Sequence, residues 1–198
     1  MTAESSFLIL GSLFRKCNFI SCARILSLCS LAATFSFSPV DAAVIEALSC
    51  SQADVTKAID STRSGDTVRI PPGTCTWGDK GSYISLTKAI TLRGSGRGST
   101  IIELSPTAGA WTSGTVRISA AATVRDLTIR TDTSGNSGTA FSASANGFRI
   151  TNIEYINRTV SVNGYFLYSG AYGLVDNCSI TGSTGSNELI FVRGPLDS

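Results

Sequence analysis

The sequence predicts an all-β chain: a right-handed parallel β-helix solenoid with a short N-terminal capping α-helix. Three observations predict it. Gly, Ser, Thr, Ile and Val dominate the chain beyond its first forty-odd residues, and no long 3.6-residue apolar pattern appears after residue 63. One pattern recurs in fixed phase: apolar, any, Asn or Asp, apolar, any, apolar. A single amphipathic segment precedes the first strand-like run.

The N-terminal segment, residues 1–42, reads as a signal peptide. Arg15, Lys16 and Arg24 supply positive charge, residues 25–37 a mostly apolar stretch, and Val40 and Ala42 suit a cleavage site after Ala42. A membrane anchor is the competing reading. Ser27, Ser30, Thr34, Ser36 and Ser38 interrupt the stretch, which falls short of the ~20 apolar residues a spanning helix needs. Cleavage implies a secreted or extracellular protein with no stable membrane insertion, and leaves residues 43–198 as one β-helix domain.

Of the 16 basic and 14 acidic residues in the chain, 13 and 12 remain after residue 42. That near-balance argues against nucleic acid as a partner, because phosphate binding needs clustered Lys and Arg. The chain contains no histidine, which excludes His-dependent catalysis and His-ligated zinc within it. Cys50, Cys75 and Cys178 follow the leader. A Cys50 to Cys75 disulfide would tie the start of the domain to its first strand region, and Cys178 then sits at an apolar repeat position as a buried thiol.

Residues 51–63 are the helix candidate, with Val55, Ala58 and Ile59 at helical spacing and Ser51 or Asp54 as N-cap. Such a helix would cover the open end of a solenoid, which otherwise exposes apolar interior and strand edges. Short apolar runs at 68–70, 90–92, 101–104 and 116–118 mark the early coils. Gly94, Gly96 and Gly98 lie between two of them and read as a turn; a dinucleotide fingerprint would have to open a helix.

The recurring pattern is Val124-Arg-Asp126-Leu127-Thr-Ile129, Ile150-Thr-Asn152-Ile153-Glu-Tyr155 and Val175-Asp-Asn177-Cys178-Ser-Ile180. A period near 25 residues is that of a solenoid, whose units bury their core only against neighbours. In a straight strand the first apolar position would face away from the fourth and sixth. A bend at the third position removes the conflict, and Asn and Asp tolerate the left-handed backbone there. Asp126, Asn152 and Asn177 are therefore expected as stacked structural corner positions. A leucine-rich repeat would need recurrent leucines with a helical return, and a β-sandwich would show hairpin signals; neither recurs.

The runs Cys50-Ser-Gln-Ala-Asp-Val-Thr-Lys-Ala-Ile-Asp, Gly65-Asp-Thr-Val-Arg-Ile-Pro-Pro-Gly-Thr-Cys-Thr-Trp77 and Ala89-Ile-Thr-Leu-Arg-Gly-Ser-Gly96 resemble the opening of the pectin-lyase-like right-handed β-helix superfamily. The resemblance covers the chain from Cys50 to about Leu104. It implies a polysaccharide partner and an enzyme, a lyase or glycosidase, for an acidic glycan such as pectin; Ca²⁺ enters as a cofactor only through this resemblance. The superfamily also holds non-catalytic surface and carbohydrate-binding proteins, and fold does not choose among them.

No complete active site is legible. Asp176-Asn177 stands where some pectate lyases have Asp-His, but the asparagine also fits the corner. Arg193-Gly-Pro195 resembles the start of an R-x-P-x-x-R signature whose second arginine is replaced by Ser198. Arg125, Glu154 and Asp176, at outward repeat positions, read as solvated charge. Tyr155, Tyr165, Phe166, Tyr168 and Tyr172 could form a sugar-stacking platform or pack a corner, with packing preferred. Catalytic residues are thus unknown, and expected beyond residue 198. The absence of a terminal cap after Glu188-Leu-Ile-Phe-Val192 leads to the same expectation of further coils.

Overall fold

The computed structural model describes residues 41–105, 114–131, 139–158, 165–182 and 190–192. All but the last two residues of the expected leader lie outside them, as does Arg193-Gly-Pro195.

Every strand pairing among the described residues is parallel, and the strands stack as a β-solenoid. One limb of each coil comes from β1 (Val44–Glu46), β2 (Thr67–Arg69), β5 (Thr91–Arg93), the first residues of β8 (Thr123–Thr131) and β10 (Phe148–Ile156), and β12 (Gly173–Asp176). The next limb comes from β3 (Gly73–Trp77), β6 (Thr100–Leu104), the remainder of β8 and β10, and β13 (Ser179–Thr181). A separate sheet holds β4 (Ile84–Leu86), β7 (Val116–Ile118), β9 (Phe141–Ala143), β11 (Leu167–Ser169) and β14 (Ile190–Val192).

Register follows the apolar pattern. Val68, Leu92, Val124, Ile150 and Val175 stack in one column, and Cys75, Ile102, Ile129, Tyr155 and Ile180 in another. Between the columns the strands bend. Asp126, Asn152 and Asn177 have φ of 61°, 53° and 51°, the left-handed region. In the two inner repeats all three apolar positions are consequently buried: Val124, Leu127 and Ile129, then Ile150, Ile153 and Tyr155.

The helix α1 (Gln52–Asp60) buries Val55, Ala58 and Ile59 against the first coil, and its N-cap is Ser51, whose side chain accepts from the Asp54 backbone N–H. The last carbonyls of a helix have no intrahelical donor. Here Lys88 Nζ reaches the carbonyls of Ile59, Asp60 and Thr62 at 3.2, 3.1 and 2.8 Å. The segment leading into the helix is stapled to β3 by a Cys50–Cys75 disulfide, and Trp77 Nε1 donates to the Cys50 carbonyl at 2.9 Å. Closing a loop of this length is worth about 3 kcal/mol. Gly73 makes room for the bridge, since a Cβ there would lie 3.0 Å from Cys50 Sγ.

The aromatic cluster divides. Tyr155 and Phe166 are fully buried, their rings 5.4 Å apart, and Phe141 meets Phe166 edge-on at 5.3 Å. Tyr172 is 66% exposed. Packing thus accounts for the first two and leaves Tyr172 at the surface.

Candidate functional site

The residue after each apolar member of the first column points outward, because side chains alternate along a strand. In three successive coils that residue is arginine: Arg69 follows Val68, Arg93 follows Leu92 and Arg125 follows Val124. Arg69 pairs in register with Arg93, and Arg93 with Arg125. Neighbouring strands lie about 4.8 Å apart, so the three guanidinium groups form a continuous column. Glu46 stands beside Arg69 at one end, and beyond Arg125 the column continues through Thr151 to Asp176.

Like charges at this spacing repel, and carboxylates offset them. Glu46 Oε1 accepts from Arg69 Nη1 at 2.9 Å. Asp126 Oδ2 accepts from both Arg93 Nε and Arg125 Nε, each at 2.9 Å. The Asp126 side chain is only 8% exposed. Burial works against its charge, but hydrogen bonds from Asn152 and Arg125, the charge of Arg125 and the bond from Arg93 outweigh it, holding the carboxyl below the ordinary aspartate range. One coil further on, Arg149 grips Asp176 in a two-pronged fork of 3.0 and 2.8 Å. That fork, more than anything else, holds the Asp176 carboxyl low.

Beside the arginines, the chain from Gly94 to Ser99 turns outward and forms one flank of a groove. Gly94 is required by contact: a Cβ there would lie 2.3 Å from the Asp126 carbonyl oxygen. The turn is tied down by Gly94 N–H to the Arg125 carbonyl, Gly96 N–H to the Asp126 carbonyl, and Ser95 Oγ to the Ile70 carbonyl, all at 2.9 Å. Gly98 N–H donates to Thr128 Oγ1, and Arg97 donates to the Asn177 carbonyl. The resulting groove, of about 510 Å³, is lined by Glu46, Arg69, Arg93, Arg125 and Asp126, with Pro71 and Pro72 among its walls. Three arginines against two carboxylates leave it one net positive charge.

Comparison of the chain with protein-family models, curated proteins and solved structures finds no match. The groove is therefore interpreted from its own chemistry. Guanidinium groups present N–H donors in a planar fork that suits carboxylates. Its two carboxylates are tied to those guanidinium groups, and Asp126 is kept ionised. Calcium needs six to eight oxygen ligands, and no group of three His, Cys, Asp or Glu among the described residues is placed to hold a metal. The arrangement fits an anionic ligand better than a cation. No helix among the described residues is long and apolar enough to cross a membrane.

The structure brings some sequence candidates together and separates others. Asp126, Asn152 and Asn177 form a side-chain ladder: Asn152 Nδ2 donates to Asp126 Oδ1 at 2.7 Å, and Asn177 Nδ2 to Asn152 Oδ1 at 3.3 Å. Cys178 is a half-buried free thiol whose pKa burial pushes up. Glu154 accepts from Thr128 Oγ1 at 2.8 Å. Thr128, in the same repeat position as Glu154, is 2% exposed because the Gly94 to Ser99 turn covers it.

Sequence reasoning missed the arginine column. Its signal was present as apolar-Arg pairs at 68–69, 92–93 and 124–125, but the chain between Leu104 and Val116 lengthens the second interval. A regular 25- to 26-residue phase holds only in the later repeats, where the outward residue is Arg, Thr and then Asp.

Proposed function

We propose that this chain belongs to a secreted, pectin-lyase-like β-helix protein and that the arginine groove engages an acidic polysaccharide. The single observation that carries the reading is the in-register stack of Arg69, Arg93 and Arg125 along the outer face of the solenoid. A linear acidic glycan repeats its carboxylates along an extended chain, and a solenoid repeats its arginines one strand spacing apart. Long polyanions gain most from such repetition, because each added contact displaces another counterion. The Cys50–Cys75 disulfide and the signal-like N-terminal segment support an oxidising, extracellular setting.

The groove is built to bind, because Asp126 is locked into ion pairs instead of being poised to exchange a proton. Degradation of the same polymer, as lyase or glycosidase, rests on the resemblance of the first coils to polysaccharide-degrading β-helices.

The test titrates the full chain with polygalacturonate, alginate and neutral dextran. Binding to the two acidic polymers that weakens with salt, with none to dextran, is expected. Replacing all three arginines with glutamine should lower affinity roughly tenfold or more, at up to ~1 kcal/mol for each partly exposed charge. Equal affinity for dextran, or an unaffected triple variant, sinks the proposal. Release of unsaturated or reducing ends from either acidic polymer would place the protein with the degrading enzymes.

A further inference from the structure

Asp126 has two faces. Oδ1 accepts from Asn152 Nδ2 at 2.7 Å, while Oδ2 accepts from Arg93 Nε and Arg125 Nε. An ionised carboxylate only accepts, so every bond around it points inward. This fixes the amide of Asn152 with nitrogen toward Asp126 and oxygen toward Asn177, which donates to it. The ladder therefore runs one way, each amide donating toward the carboxylate.

On the groove side, the same carboxylate sits where an incoming anion would bind. Guanidinium groups grip carboxylates best through two parallel N–H bonds. With both Nε groups engaged by Asp126, a ligand meets only the Nη ends of Arg93 and Arg125, under the field of a negative charge already in place.

We propose that Asp126 is an internal substitute for the acidic ligand: it occupies the anion position between Arg93 and Arg125 and holds down the affinity of the groove for acidic sugars. The inference rests on the acidic-glycan reading of the groove. The bend does not require this charge. Asn152 and Asn177 hold the same corner at φ of 53° and 51°, against 61° for Asp126. What asparagine cannot supply is a counter-charge for two guanidinium groups.

Asp126→Asn should therefore keep the shape. The side-chain oxygen at position 126 turns to the arginines, its amide donates to Asn152, and Asn152 donates to Asn177, so the ladder reverses as a unit. Asp126→Gly removes the carboxylate by another route, because glycine accepts positive φ without strain.

The full chain and both variants are titrated calorimetrically with polygalacturonate and, separately, dextran sulfate, with folding followed by circular dichroism. Both variants should bind polygalacturonate roughly fivefold more tightly than wild type, the scale of a partly exposed ion pair. The gain should shrink as salt rises. Unchanged or weaker binding by a folded variant overturns the proposal and makes Asp126 a prop for the arginines. If Asp126→Asn does not fold, Asp126→Gly decides by the same criterion. Tighter binding of dextran sulfate by the variants, with polygalacturonate bound by none of the three proteins, upholds Asp126 as an internal anion but rejects the acidic-sugar reading. Binding of neither polymer by any form rejects both.

Discussion

The corners at Asp126 and Asn177 share a backbone and differ in nearly everything else. Both have positive φ, both follow an outward-pointing residue, and both belong to one ladder. At Asp126 the neighbouring coils close over the corner, and Leu127 just after it is 1% exposed. At Asn177 the side chain is exposed, and Val175, Cys178 and Ile180 of the same repeat are only partly buried. The difference teaches that the local sequence sets the bend and its charge, whereas the coils on either side set how deeply the corner is buried and what it pairs with.

Three pairs of measurements should widen or abolish this contrast. The largest effect is expected in the core: Leu127→Ala should cost about 3 kcal/mol, as for a fully buried leucine. Cys178→Ala should cost less than about 1 kcal/mol, as a small change at a half-buried site. Denaturant melts of the two variants measure this, and equal losses would mean that both corners are equally packed in solution.

Next come the corners themselves. Alanine at either position carries the left-handed penalty of about 1 kcal/mol. Asp126→Ala also strands the Asn152 amide and two arginine Nε groups, raising its total to about 3 kcal/mol. Asn177→Ala should stay near the bare penalty, and thermal melts giving the reverse order would refute the ladder as a stabilising element.

The smallest effect is pH dependence. The Asp126 carboxyl titrates below its ordinary value of 3.8 in the folded protein. Its stabilisation is thus fully present above that unfolded value and lost as pH falls through the lower folded one. Asn177 takes up no proton. Asp126→Asn should flatten the decline in melting temperature below about pH 4 without abolishing it, because Asp54, Asp66 and Asp176 are held low as well. An unchanged acid limb would show that Asp126 is not ion-paired in solution.

Much of the fold was legible because periodicity is a local property. Val124, Leu127 and Ile129 announce an interior, and Asp126, just ahead of Leu127, announces where the chain must bend. The helix was legible from Val55, Ala58 and Ile59, and Cys50 with Cys75 from their place at the start of the domain. The site was much less so. That Arg93 and Arg125 converge on one oxygen of Asp126 depends on inter-coil register, which no single segment encodes. Thr128 reads as an outward residue, and only a turn some thirty positions earlier buries it. Lys88 finds its three carbonyls through packing of α1, not through any motif of its own.

The contact at Gly94 carries an evolutionary consequence. With no room for even a methyl group beside the Asp126 carbonyl, any side chain at this position would push two coils apart and break the bonds that hold the turn. The flank of the groove is thereby frozen, as are Arg93 and Arg125, whose loss would strand the Asp126 carboxylate, while Arg69, half exposed and paired with an exposed Glu46, can be exchanged at little cost to the scaffold. Substitution at Arg69 can therefore retune the charge of the groove, but none at Gly94 can shift its flank.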